Sequence, residues 1–455
     1  MNKIRKTAIK NLKGSDEGLR VDWMLNNMSE NKTFLYFLNN TNKNKDEKEK
    51  LLEKLKKDYL EYRRKWRENL KTAIKNNSIG RDFNESEITP QCIDIEVASV
   101  CDLACPHCYR QFISTPDKIM TKKLAFKLID QASEMKVPSM KFNWRGEPLL
   151  NPALPEIIDY AKKKGVLETI INTNATKLDS NMSNKIIDSG LDLMIYSFDG
   201  GTKKSYEKMR PGRFKENNFN EIYENIKNFN KIRKDRKSSF PRTKIQMVLT
   251  NETFKEQDEY FLLFKDIVDD VSVKQYTERG GKFGDIDQKY LRGACSDENL
   301  DNFNKKIDNS NFNKNSEVMK DPEGNLFVSK GRLPCEQPYQ RMLVTYDGRV
   351  SMCCYDWGSM HPVGYADQLA LDIGEKEYEK VKKKADMNEK GFDLMNLKMP
   401  EVFNEPKKEV KSIKEIWFGE EINHVRKKHT ENALEDVKIC KGCPFKETYD
   451  WIKLN

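Results

Sequence analysis

Cys101, Cys105 and Cys108 stand in the order Cys101-Asp-Leu-Ala-Cys105-Pro-His-Cys108. Three thiolates so close in sequence do not close a four-ligand metal site. They can hold three corners of an iron–sulfur cube and leave the fourth iron open for chemistry. The competing reading is a zinc knuckle, which needs a fourth ligand and seals the metal off. His107 is near, but it abuts Cys108, and neighbouring side chains on such a backbone diverge. A second constellation runs Cys335, twelve residues, Gly348, four residues, Cys353, and later Cys440-Lys-Gly-Cys443. Four thiolates suffice for a complete [4Fe–4S] cluster with no open iron, and also for zinc. Leu343, Val344 and Tyr346, the turn Asp347-Gly348, then Val350 and Met352 read as a β-hairpin, which keeps Cys335 and Cys353 close in space. Cys354 adjoins Cys353; the Gly348 spacing selects Cys353, with a swap left open. Cys92 and Cys295 read as buried, unreactive thiols.

These donors need elements to position them. Short apolar runs at Ile93–Val97, Met140–Trp144, Glu168–Asn172, Leu193–Ser197 and Ile245–Thr250 alternate with helical patterns such as Leu124, Leu128, Ala132 and Met135. Repeated β-then-α units predict a parallel sheet whose functional loops follow the C-terminal ends of the strands. The first cysteine motif falls in the loop after the first strand. Residues 1–90 read as a helical extension, with Leu51, Leu55, Tyr59, Tyr62 and Trp66 forming one apolar stripe that packs on the main domain. Residues 91–280 form that domain, 281–334 a Gly-, Asp- and Asn-rich linker, and 335–455 a small cysteine-bearing domain with a charged insertion at 365–411.

The first motif, C-x3-C-x2-C, resembles the signature of the radical S-adenosylmethionine (radical SAM) superfamily, with His107 where that family usually has an aromatic residue. The resemblance implies an α/β fold, a partial (β/α)6 TIM-like barrel. It implies that the open iron binds the amino and carboxylate groups of SAM, and that an electron from a donor such as flavodoxin or ferredoxin cleaves SAM to a 5′-deoxyadenosyl radical. Trp144-Arg145-Gly146-Glu147-Pro148 looks like the family's Gly-Gly-Glu-Pro turn with Arg145 in place of the first Gly. By that likeness Gly146 and Glu147 meet the SAM ammonium group, a charge-assisted contact. Tyr196-Ser197-Phe198-Asp199-Gly200, with Arg210, looks like the family's Ser-x-Asp-Gly…Arg arrangement. Ser197 would then hydrogen-bond the ribose or carboxylate, and Arg210 would clamp the carboxylate with its planar fork. Asn174, in the loop after the third strand, and Gln246, alternating with Met247 on the fifth, are candidate cavity contacts.

The second constellation is similar to the C-terminal SPASM and twitch extensions of radical SAM enzymes. It implies that Cys335, Cys353, Cys440 and Cys443 hold one auxiliary [4Fe–4S] cluster, since no further cysteine follows Cys443. The implied function is an oxidoreductase: hydrogen abstraction from a small polar substrate such as a sugar, an aminocyclitol or a nucleotide-derived compound, in a dehydrogenation aided by the auxiliary cluster. The alternatives are a maturase acting on a peptide or carrier-bound substrate, which would use the N-terminal extension, and, from another class, a non-enzymatic zinc-bound adaptor. Epimerisation or rearrangement fits the same motifs.

Composition narrows the setting. The chain has 455 residues, 34% charged and 37% hydrophobic, with a formal charge of +9 spread over Lys/Glu-rich helical stretches. That pattern reads as solvated surface, with no nucleic-acid partner expected. No apolar run approaches the ~18 residues of a membrane span, and no secretory h-region follows Met1-Asn2-Lys3, so a cytoplasmic setting without a membrane partner is expected. Ten cysteines in such a chain read as metal ligands before disulfides.

Overall fold

Alternation along the strands separates an apolar face from a polar one, and the sheet is built on that division. In the computed structural model, which describes residues 16–39, 44–75, 88–111, 115–250, 252–275, 318–320, 326–330, 334–387, 406, 409–431, 433–441, 443 and 450–454, six parallel strands follow one another in chain order. They are β1 (Cys92–Ile95), β2 (Ser139–Lys141), β3 (Glu168–Thr173), β4 (Leu193–Ser197), β5 (Arg242–Leu249) and β6 (Asp270–Gln275). Ile93, Ile95, Met140, Ile171, Met194, Tyr196, Ile245 and Met247 have no exposed surface and belong to one core cluster, which also takes in the buried faces of the helices between the strands. The opposite, inner face carries Asp94, Lys141, Asn172, Ser197, Lys244 and Gln246, which follow from the period of two and the register of the pairings. A parallel sheet buried between helices on both sides would be apolar throughout. Here the inner face mixes these polar residues with Ile170, Leu193 and Ile195.

Helices Lys122–Glu134, Leu154–Lys163, Ser180–Ser189, Lys203–Met209, Phe219–Asp235 and Gln257–Phe264 supply the connections. The first opens on a Thr121 cap that accepts from Leu124 N, and the third ends on Gly190 at φ +77, the left-handed conformation that glycine adopts without strain. The barrel is open: its sheet runs from β6 at one edge, through β1, into β9 (Arg341–Val344), β10 (Arg349–Ser351) and β11 (Pro362–Tyr365) at the other. β9 lies parallel to β1, pairing Ile93 with Met342, and β9, β10 and β11 are antiparallel neighbours. The expected hairpin at Asp347-Gly348 is therefore a continuation of the barrel sheet.

The N-terminal helices Asp16–Asn27, Lys32–Asn39 and Lys45–Lys75 cover the end of the barrel opposite the strands' C-termini. Leu55, Tyr59 and Tyr62, from the expected stripe, are buried with Met24, Met28 and Phe34 against Leu167, the residue before β3, and Phe240, two residues before β5. Glu168, the first residue of β3, accepts from Arg20 and from the hydroxyls of Tyr59 and Tyr62, each at 3.1 Å. Burial alone would push this carboxyl up; the Arg20 guanidinium holds it below its usual range. Breaking such a buried pair by removing one partner costs ~3–5 kcal/mol.

Two expectations change. β6 was not among the expected runs. The stretch expected as a linker contains β7 (Val318–Lys320) and β8 (Leu326–Lys330), which join β12 (Asp450–Leu454) in a second sheet. The insertion carries a helix, Gln368–Met387; most of its remainder, like Cys295, lies outside the described residues. Among those, no helix is long and apolar enough to cross a membrane.

Candidate active site

The loop that follows β1 brings Cys101, Cys105 and Cys108 to the C-terminal mouth of the barrel, and two neighbours grip it. On one side Glu147 N donates to Val100 O at 2.9 Å; on the other Ala104 N donates to Pro211 O at 2.8 Å and Arg213 N to Asp102 O at 2.8 Å. Gly146 permits the first grip: a Cβ there would meet the carbonyl oxygens of Ala98 and Val100 at 2.4 Å each. Those atoms are backbone and cannot swing away. Gly146→Ala must therefore displace the loop that carries Cys101. The expected result is a folded protein, destabilised by ~1–3 kcal/mol as overpacked sites are, with iron bound at the first cysteine set strongly reduced. Iron content and thermal unfolding of the variant check it, and unchanged iron would refute the steric argument.

Glu147 is buried and its carboxylate is held by three donors: Thr173 Oγ1 at 2.7 Å and Leu149 N at 3.1 Å on Oε1, and Asn174 N at 2.7 Å on Oε2. Burial pushes its carboxyl up to about 7, against those hydrogen bonds. A carboxylate offers about four acceptor positions, so one remains for a cationic group in the mouth. Asn174 Nδ2 donates to Asp102 Oδ1 at 2.9 Å and lies 4.0 Å from Cys101 Sγ, while Thr176 Oγ1 donates to Asp102 Oδ2 at 2.6 Å. Asn174 thus braces the cysteine loop from β3.

Arg210 stands over the same mouth, buried beside Cys105. Its Nε and Nη2 both donate to Asp199 Oδ2, at 2.7 and 2.5 Å, and Asp199 Oδ1 accepts from Val248 N at 2.7 Å. His107 Nε2 lies 3.2 Å from Asp199 Oδ2. Against the effect of burial, Arg210 and His107 hold the Asp199 carboxyl well below the usual carboxylate range. One edge of the guanidinium is therefore fixed by Asp199, and Nη1 and the other Nη2 hydrogen remain for a second anion. Ser197 and Gln246 are Cα partners across β4 and β5 and share the inner face, half-buried, while Met247 is turned into the helix-side core.

Burial pushes the Cys101 thiol well above its usual range, with Glu147, Cys105 and Cys108 adding to it. Burial also pushes Cys105 up to about 12, with Arg210 opposing. The three thiols are thus within electrostatic reach of one another, on a donor set that suits iron and sulfide.

The second set converges in the same way. Cys335, Cys353, Cys440 and Cys443 are all buried. The Cys353 thiol is pushed up by burial and then by Cys354, Cys440, Cys443 and Cys335. Cys354 also acts on Lys141 and Arg341, on the barrel side, and its carbonyl accepts from Trp144 Nε1 at 3.1 Å. The turn glycine, Gly348 at φ +100, lies against Asp367, whose Cβ would be 2.7 Å from an added Cβ. Among the described residues no three His, Cys, Asp or Glu side chains crowd together as tightly as one metal ion requires; the corners of a four-iron cube are wider apart.

Several residues of the site were not singled out from sequence. Arg145 donates to both oxygens of Glu96, at 2.7 Å each, and lies over the Trp144 ring. His429 Nε2 sits 3.3 Å from Cys440 Sγ. Asp102, Thr173 and Thr176 act as braces. Position after a strand could have flagged Asp102 and Thr173; His429 and Glu96 carry no local signal.

Residues 95–263 match the family model described as the Radical SAM superfamily. Fe-coproporphyrin III synthase of Methanosarcina barkeri is 34% identical over 112 residues, 24% of this chain and 27% of that protein. GTP 3′,8-cyclase of Chlorobaculum tepidum is 29% identical over 152 residues, 33% of this chain and 43% of that protein. The chain thus spans about a quarter to two fifths of the length of these curated relatives. Among solved structures, BtrN in complex with AdoMet and 2-DOIA is 17% identical, with 80% of this chain and 99% of that one covered at a TM-score of 0.40. The radical SAM family uses a [4Fe–4S] cluster and SAM. The segment that places Cys101, Cys105, Cys108, Glu147 and Arg210 around one mouth is the one that matches the Radical SAM superfamily model.

Proposed function

We propose that this chain is an enzyme that reductively cleaves SAM and abstracts hydrogen from a C–H bond of a small polar substrate, in a dehydrogenation aided by one auxiliary [4Fe–4S] cluster. The observation that carries the reading is the three-thiol loop, gripped on both sides at the C-terminal mouth of an open barrel, with one carboxylate and one guanidinium facing it. Bound there, the cluster and SAM supply a hydrogen-abstracting 5′-deoxyadenosyl radical. Cys101, Cys105 and Cys108 would hold the cluster. Glu147, with one acceptor position open, would receive the methionine ammonium, and Gly146 lets that turn approach. Arg210, oriented by Asp199, would take the carboxylate. Ser197, Asn174 and Gln246 line the way to it.

Cys335, Cys353, Cys440 and Cys443 fit the auxiliary cluster by donor chemistry: four buried thiols, three of which act on Cys353. Such a cluster would accept the electron left when hydrogen is removed, and a flavodoxin or ferredoxin would supply the electron that starts turnover. The small-molecule reading is favoured over the peptide reading because residues 16–39 and 44–75 pack on the barrel's far end, away from the mouth. The two relatives' names, a GTP cyclase and a coproporphyrin synthase, agree with it.

Anaerobic reconstitution tests the proposal. About eight iron and eight sulfide per chain are expected, four for each cube, together with 5′-deoxyadenosine on addition of SAM and dithionite. One or two zinc ions, no iron and no SAM cleavage would replace the enzyme with a zinc-bound adaptor.

A further inference from the structure

The inner face of the sheet holds a cation with no hydrogen bond or ion pair of its own among the described residues. Lys141 ends β2 in register with Asp94 on β1 and Ile170 on β3. Asp94 accepts from Arg341 Nη1 at 3.0 Å, and further along the same face Glu96 is held on both oxygens by Arg145. Two carboxylates thus meet two guanidinium groups, and the Lys141 charge is left over. Among the described residues its ammonium has no hydrogen-bond acceptor and no ion-pair partner. Burial pushes the Lys141 pKa down, with Asp94 opposing and Arg341 adding to the shift, yet the residue is only half-buried.

On the adjacent strand Asn172 lies two residues beyond Ile170, hence on the same face. Its Oδ1 is buried and has no hydrogen-bond partner among the described residues. A buried ammonium that shares its only nearby carboxylate, Asp94, with Arg341, and a buried acceptor without a donor are both costly, and native structures leave few of either. One ligand that carries an oxyanion beside a donor group answers both.

Resting on the function proposed above, we propose that Lys141 and Asn172 form a substrate subsite inside the barrel, in which Lys141 binds a carboxylate or phosphate of the substrate and Asn172 Oδ1 accepts from a neighbouring hydroxyl or amine. The substrate class narrows accordingly. A sugar phosphate, a nucleotide-derived compound or a carboxylic acid fits; a purely cationic aminocyclitol does not, because it would bring a second positive charge to Lys141.

Thermal unfolding of the full, cluster-loaded chain under anaerobic conditions tests this, with chloride exchanged for inorganic phosphate or for succinate at constant ionic strength. A ligand that binds only the folded state raises Tm. Phosphate also stabilises proteins by exclusion from their surface, so the comparison with a variant decides. Lys141→Met should unfold at a higher temperature than the parent without added anion, since the unmatched ammonium is gone and the length is kept. It should lack the additional anion-dependent rise of the parent, and Lys141→Arg should retain it. Asn172→Asp keeps the lysine but supplies a carboxylate beside it, and should lose the rise as well. A rise with phosphate alone identifies a phosphate-bearing substrate, and one with succinate alone a carboxylate. An equal rise in parent and Lys141→Met, or none with either anion, overturns the subsite. Formation of 5′-deoxyadenosine in the same samples reports on SAM cleavage independently: its absence in the parent defeats the proposed function and leaves the anion result readable.

Discussion

Replacing Cys101, Cys105 and Cys108 together by Ala abolishes 5′-deoxyadenosine formation and halves the iron, with the second cysteine set still loaded. The expectation follows from ligand count and placement. The first set offers three thiols and one open position, whereas the second offers four thiols and none, so only the first can give SAM an iron to bind. Geometry reinforces this. Glu147, Asn174, Asp199 and Arg210 all stand around the first loop. The triple variant should stay folded, because the loop is held by backbone hydrogen bonds to Glu147, Pro211 and Arg213 that do not involve the thiols. Iron, sulfide and 5′-deoxyadenosine are the measurements. Residual SAM cleavage with about four iron per chain would move the chemistry to the second set and sink the assignment.

What the sequence could show depended on how local each signal is. β4 was legible at both ends because Leu193–Ser197 is an apolar run bounded by turn residues. β6 was not. Val271 and Val273 alternate with Asp270, Ser272 and Lys274 at the sheet's edge, too short and too polar a pattern to stand out. β7 and β8 were lost in a polar stretch because β8 pairs with β12, more than a hundred residues away. The same distinction runs through the site. Gly146 and Glu147 are visible as a turn motif, but the reason for the glycine is the backbone of Ala98 and Val100, on a different loop. Arg145 departs from the resembled motif. Its partner, Glu96, becomes visible only when the loops after β1 and β2 are placed side by side. The same holds for Asp199, whose hold on Arg210 is eleven residues distant and whose contact with His107 spans three β/α units.

The second large effect concerns Cys440 and Cys443. Changing both to Ser should remove about four iron per chain and stop product formation, while SAM is still cleaved without productive coupling. Cys443 N donates to Cys440 O at 3.2 Å, so the pair forms a tight turn that presents both thiols to Cys353 and Cys335. With two corners gone, the remaining two thiols cannot hold a cube. The barrel should survive the change. β9 is fixed to β1 by four residue pairs, and Trp417 Nε1 donates to Ile88 O at 2.9 Å, so the C-terminal segment is anchored to the barrel by contacts away from these cysteines. Uncoupled cleavage of SAM with loss of product assigns the second set a part in the substrate's oxidation. Full activity after loss of that iron removes the electron-acceptor role, and with it the dehydrogenation. Release of zinc in place of iron makes the second set a structural knuckle, because a closed tetrahedral zinc has no redox chemistry to offer.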